Sequence, residues 1–522
     1  MRSPRLLVLF AFSALGILPG CFQFQPSGKI TGLTKAADSA LLSESVPSPG
    51  SSSTPVEGCA CTFEIESSLA SFDGAARGAK PGDVICLKPG NRAQLTLTHL
   101  QGSLEAPIVV KNCGGAVIID QAPIANGILV KNSAFFRITG TGEPSIDYGI
   151  AVKKATATGV RTSGIELTNL TTEFEIDHVE ITGVKYGIYG RTPPDGFPCL
   201  AGMDTFGKIV DHGNGEFSGG LNRVRVHDTW VHDVTQKGMF FASQGCGSLQ
   251  VTCNGATKSV PWDTLNNADI HHNVVERTGY QLIQMGCGRN NKLHHNRTGS
   301  HGLDYLTNDA AIYETSGFNF QGDGEIYANF MNSTEGLGNP MAFKNVRGAT
   351  LVYDNVIRAN PEKTNGTIFF AQSMASASAG ALPPMIFANN TVMNADRFAA
   401  FSLKEDALDL SKPAVGYPVA FKNNLIVNIK DTNVKLEGNF NKDLATGASR
   451  NFLTRESDGI FESEADVLFT NPESMDYTLQ KASPAIDQGT ASFGFSLTVD
   501  HAGQPRISGG KVDYGAFERP SD

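Results

Sequence analysis

The chain has 522 residues, 42 basic and 52 acidic side chains giving a formal net charge of -10, 56 glycines and only 18% charged residues. Nucleic acid and anionic membrane are excluded as main partners, because phosphate recognition relies on clustered Lys and Arg and no basic run is present. A hydrophobic fraction of 40% excludes a disordered chain, and the glycine content suits a turn-rich β protein.

Arg2 and Arg5 precede an apolar stretch from Leu6 to Leu18, too short to span a bilayer comfortably and charged on the side expected of an export signal. It ends at Leu18-Pro19-Gly20-Cys21, which resembles the bacterial lipobox. Residues 1–21 are therefore expected to be a lipoprotein-type signal peptide, with lipidation on Cys21 anchoring the protein to a membrane surface without a spanning helix. The implied location is extracytoplasmic, on the outer membrane or cell surface; ordinary cleavage nearby is the alternative. Residues 22–57 are rich in Ser, Pro, Gly and Thr and read as a flexible tether. Eight cysteines remain beyond Cys21, and an even number in an exported chain favours disulfides. The expected pairs are Cys86 with Cys113, and Cys246 with Cys253 or Cys287. Thiol ligation of zinc is disfavoured because no C-x-x-C occurs.

Glu64 to Ala79 places Ile65, Leu69, Phe72 and Ala76 near helical period, which predicts a short amphipathic cap. Strands are predicted at Val84 to Leu87, Ile108 to Lys111, Val117 to Ile119, Ile128 to Val130 and Phe136 to Ile138. From Ile270 onward a single phrase returns: an apolar residue, two free positions, an Asn, one free position and a second apolar residue. Its clearest copies are Ile270-His271-His272-Asn273-Val274-Val275 and Leu293-His294-His295-Asn296, with the Asn recurring at 273, 296, 329, 355, 390 and 424. Coils around Val179 and Thr229 carry those residues where later coils carry Asn. Arg191 to Gly220 and Cys246 to Asn266 read as loops thrown out from the repeat, the usual place for a binding face. Alternation argues for half-buried strands, and the absence of crossover helices argues for a solenoid whose coils stack ~4.8 Å apart.

The repeated phrase resembles the right-handed parallel β-helix proteins, the superfamily that includes pectate-lyase-like and chondroitinase-like polysaccharide lyases. Pro81 to Gly90 and Ala106 to Val110 resemble a first coil of such proteins. Ser483 to Gly489, Asp500 to Arg506 and Asp513 to Glu518 resemble their bacterial ending. The resemblance implies an all-β chain: a right-handed parallel β-helix over 58–470, a short N-terminal helical cap and a C-terminal capping segment over 471–522.

Aligning the phrases puts Asp177, His227, His271, His294, Tyr327 and Tyr353 in one outward column and His178, Asp228, His272, His295, Ala328 and Asp354 in the next. Nine of these twelve are His or Asp, in a chain with only 11 His. Read as function, the stripe lines a groove for an extended saccharide; read as structure, it is a solvated or ladder-forming edge. His232, Asp233 and Lys237, and Arg289, Lys292, His301 and Asp304, could reach the same face. The catalytic candidates are His227, His271, His294, Lys237 and Arg289; the substrate-binding candidates are Asp177, Asp228, His272, His295, Tyr327 and Tyr353. A lyase needs a base for the proton beside a uronate carboxylate and a cation for its charge. The family's calcium-ligand pattern and the D-P-H-D phrase of alginate epimerases are missing, so no metal ligand is assigned, although the resemblance admits a divalent cation such as calcium. Inverting hydrolysis needs paired acids, for which Asp211-His212-Gly213, Asp304 with Asp309 and Asp323 with Glu325 are weak candidates that turn formation explains equally.

Two readings follow. One is a monomeric, lipid-anchored enzyme, a lyase, hydrolase or epimerase of acidic polysaccharide, in which replacing His271 and His294 by Ala abolishes turnover. The other is a non-catalytic surface protein that holds glycan or a partner.

Overall fold

A computed structural model of the protein describes residues 59–520 apart from 121–125, 154–162, 193–208, 212–216, 244–246, 254–255, 306–314, 334, 336–337, 345, 347, 361–365, 375–383, 404–418, 439–452, 493–494 and 509. The signal and tether segments lie outside the described residues.

Each coil contributes up to three short parallel strands. The first face is a 13-stranded sheet running from Phe63–Ile65 to Leu453–Glu456, every neighbour parallel and in register. A second face follows one corner later and includes Trp230–Val234, Val274–Thr278, Arg297–Thr298 and Phe330–Asn332. The third includes Tyr186–Gly190, Lys237–Phe241, Gln281–Met285, Ser316–Gln321 and Asn339–Lys344. Near the C-terminal end the second and third faces join, in the long strands Thr391–Leu403 and Leu425–Gly438. The fold is a right-handed parallel β-helix.

The three faces enclose one continuous apolar stack, in which Ile176, Val226, Ile270, Leu293, Ile326, Val352, Phe387 and Phe421 follow each other rung by rung. The recurring Asn holds the corner between the first and second faces. In Asn296 the side-chain amide donates to Ile270 O (2.9 Å) and to Asn329 Oδ1 (3.0 Å), which also accepts from the Asn296 backbone N–H (3.0 Å). The same pattern repeats through Asn355, Asn390 and Asn424. Thr229 starts the ladder, donating its hydroxyl to Asn273 Oδ1 (2.7 Å), and Asp458 ends it by accepting from Asn424. The residue before each of these positions, from His178 to Ser457, is left-handed with φ of 50–55°. His, Asp and Asn tolerate that conformation better than β-branched residues do, which accounts for much of the second polar column.

Three local expectations change. The N-terminal cap is a single turn, Gly74–Arg77, capped by the Asp73 side chain accepting from Ala76 N (3.0 Å). Phe63–Ile65 and Ser71–Asp73 are strands instead, because pairing with the next coils satisfies their backbone and buries Ile65 and Phe72. Part of the loop from Cys246 is a hairpin, Ser248–Cys253 against Ala256–Pro261. The disulfides are Cys59–Cys113 and Cys61–Cys86 rather than Cys86–Cys113: four sulfurs converge on adjacent rungs, where spacing along the chain does not choose among pairings. Cys287 is also disulfide-bonded, while the Cys246 and Cys253 side chains lie outside the described residues.

Candidate functional site

On the first face the register brings the predicted column together as a ladder of stacked rings. Centroids of His227 and His271 are 4.8 Å apart, His271 and His294 5.0 Å, His294 and Tyr327 4.6 Å, and Tyr327 and Tyr353 4.9 Å, all with planes within 11° of parallel. The ring faces that a sugar would stack on are thus occupied by neighbouring rings within the column. The second column pairs with the first along each rung at 2.8 Å: His178 with Asp177, Asp228 with His227, His272 with His271 and His295 with His294. A third column alternates in sign, with Arg137, Glu175, Arg225, Asp269, Lys292 and Glu325 on successive strands. Arg137 and Arg225 both bond Glu175 (3.0 and 2.9 Å). Glu325 accepts from the Tyr353 hydroxyl (2.8 Å).

This pairing sets the charges. Burial raises the Asp177 carboxyl, but hydrogen bonds from His178, Arg137 and Thr139 and the Arg137 charge hold it well below the usual range. Burial works against protonation of His227, yet its bonds to Asp228 and Glu175 raise it to about 9, so it is an imidazolium at neutral pH. His271 is lowered to about 3 by burial and by the neighbouring histidines, and His295 likewise to about 3. At the far end the C-terminal segment covers the rung of Asp354, which pairs with the buried Arg506 and whose carbonyl bonds His501 Nδ1 (2.8 Å); Phe495 lies beside Tyr353 (5.2 Å).

Glu175, Asp177 and His227 bring ligand atoms within 4.8 Å of one another, a spacing that could hold a cation. They do not fit calcium. That ion takes six to eight oxygen ligands, whereas here the Arg137 guanidinium lies between the two carboxylates and both His227 nitrogens face acids.

The third face is different. Lys237, Phe240, Gln281, Gln284, Asn319 and Gln321 point away from the core, since Met239, Phe241, Ile283, Met285, Phe318 and Phe320 fill it, yet all are buried. Lys237 Nζ lies 4.2 Å from the Phe240 ring centroid and 5.3 Å from that of Tyr280, and donates to Gln284 Oε1. Burial, with the cations Lys344 and Arg191 nearby, lowers it to about 7. Arg191 is held by Asp263 (2.5 Å) at the start of the excursion that leaves this face.

The remaining candidates separate. Lys237 is two corners away from His227, so it does not share the stripe. Arg289 sits at the corner between third and first faces, its backbone N–H donating to Asn266 Oδ1 (3.1 Å). His232 and Asp233 are on the second face, bonded to each other (2.7 Å), with Arg277 on Asp233. His301 is fully buried and bonds Ser333 (3.1 Å). Asp304 closes a 3-10 turn, and Asp323 accepts from Asn290 N (2.6 Å). His212 and Asp309 lie outside the described residues. Sequence reasoning missed Gln281, Gln284, Asn319 and Lys344, which carry no repeated phrase.

No family model and no curated protein matches the chain. Among solved structures, pectate lyase Pel9A aligns at 14% identity over 88% of this chain and 97% of that one, with a TM-score of 0.40. The GH136 lacto-N-biosidase from Eubacterium ramulus aligns at 11% over 77% and 67% with a TM-score of 0.40. An alginate lyase from a Paenibacillus species aligns at 12% over 77% and 100%, with a TM-score of 0.30. Likenesses at this level assign no chemistry to this chain.

Proposed function

We propose that this protein is an extracytoplasmic, lipid-anchored β-helix enzyme that cleaves an acidic polysaccharide by β-elimination on its third face. The observation that carries the reading is Lys237: a buried lysine lowered to about 7, with Lys344 and Arg191 close enough to oppose its protonation. A general base works best with a pKa near the working pH, and an amine lowered to about 7, neutral in about half of the molecules at neutral pH, meets that condition. The same neighbours supply what the substrate needs. A uronate carboxylate between Lys344 and Arg191 would have its charge neutralised, which acidifies the adjacent C–H and stabilises the enolate formed when that proton leaves. Lys237 takes the proton, the C–H electron pair forms the carbon–carbon double bond, and the glycosidic C–O bond breaks with its electrons going to the leaving oxygen, which is then protonated. Gln284, the acceptor for Lys237, orients the amine.

Uronate polymers incubated with the full chain are expected to give unsaturated ends, read by ultraviolet absorbance, and Lys237→Met is expected to abolish them. Unchanged turnover in that variant, or no cleavage of any uronate polymer, overturns the reading. The second reading, glycan retention without chemistry, is supported by the self-paired state of the first face. It is the outcome if glycan binds and no product forms.

A further inference from the structure

The histidine pairs of the first face have a feature the ladder alone does not require. His294 Nε2 lies 2.8 Å from Asp269 Oδ1 on the preceding rung. A carboxylate only accepts, so this nitrogen carries the ring proton and His294 Nδ1 presents its lone pair. That lone pair points at His295 Nδ1, 2.8 Å away. One rung below, His271 and His272 repeat the contact at 2.8 Å, with rings stacked 5.0 Å from those above. His272, His294 and His295 are partly exposed.

We propose that His294 and His295 bind a divalent transition-metal ion of the imidazole-preferring class, Cu²⁺ foremost, with His271 and His272 forming a second, weaker site one rung away. Two nitrogens bound at about 2.0 Å and at right angles on one ion stand about 2.8 Å apart, whereas a tetrahedral pair stands about 3.3 Å apart. The observed spacing therefore suits a tetragonal ion once each ring nitrogen turns about 45° off the N–N line toward it, with water completing the coordination. The carboxylate behind His294 is the second support: a ligating imidazole characteristically donates its other N–H to a carboxylate, which fixes its tautomer and raises its basicity. On binding, the proton between the two Nδ1 atoms passes through solvent to His295 Nε2, and both imidazoles stay neutral. Two ions about 5 Å apart, the rung spacing, repel, so the lower pair fills second. This site is independent of Lys237, which lies on another face.

The test is titration of the chelator-treated full chain with copper sulfate, followed by calorimetry and electron paramagnetic resonance. One ion per chain is expected first, with hyperfine splitting from two nitrogens. His294→Asn is expected to abolish it, His271→Asn to leave it, and Asp269→Asn, which keeps both ligands, to weaken it about tenfold or more. If His294→Asn does not fold, as judged by circular dichroism, Asp269→Asn carries the decision alone. Copper binding unchanged in a folded His294→Asn or Asp269→Asn variant, or a spectrum without nitrogen coupling, overturns the proposal.

Discussion

The first and third faces are built on the same rungs and differ in how their polar groups are satisfied. On the first, acids and bases alternate along one column while the rings of its neighbour stack on one another, so charge is cancelled within the sheet. On the third, a lysine is buried against aromatic rings and amides with further cations around it. The lesson is that dense clustering of titratable residues does not by itself mark reactivity. A group is poised for chemistry when its surroundings disfavour its ordinary charge state, and a ladder mostly favours it.

Four experiments sharpen or break this contrast. The largest effect is expected from Lys237→Met, which should lower turnover by about 10² to 10⁴-fold while raising the thermal midpoint, because a desolvated amine is replaced by an apolar chain of similar size. Turnover lost together with stability would mean the lysine is structural. The contrast inverts if His271→Ala with His294→Ala abolishes turnover and Lys237→Met does not; the expectation is that this double variant stays within a few-fold of the parent.

Next in size is Asn329→Leu. It removes the acceptor used by the Asn296 backbone N–H and side-chain amide, and the amide bonds to Leu293 O and Asn355 Oδ1. Orphaned buried groups cost about 1–3 kcal/mol each, so urea unfolding should show a loss of about 3 kcal/mol or more.

Third is pH. With Lys237 lowered to about 7, kcat/KM should rise as pH passes upward through that value and then level off. Lys237→Met should also remove a rise in stability above about pH 7, where the unfolded lysine still holds a proton that the folded one has lost.

The smallest effect concerns His227. Raised to about 9, it contributes stability that is fully present below the unfolded value near 6.5 and is lost as pH climbs through 9. His227→Asn should flatten the stability profile across that window in thermal melts at stepped pH.

The rungs were legible because the corner Asn repeats and the core residues around it alternate with a period of two. Ile270, Leu293 and Ile326 could be aligned by eye, and the columns beside them followed. The third face was not legible, since the strands of Lys237, Gln284 and Asn319 lie beyond corners of varying length that no repeated residue marks. Nor does chain proximity help: Lys237 follows His227 closely, yet the backbone turns twice between them. The same blindness hid the disulfides, for Cys59, Cys61, Cys86 and Cys113 meet only once the first coils are stacked.

The amide ladder has an evolutionary corollary. Successive rungs share one pinned corner although the step between ladder residues varies from 23 residues, Asn273 to Asn296, to 44, Thr229 to Asn273. Segments of any length can be spliced in at the unpinned corners without shifting the pairing of a single strand above or below. Such a scaffold can acquire and discard substrate-contacting loops while its interior stays untouched, which lets specificity drift faster than architecture.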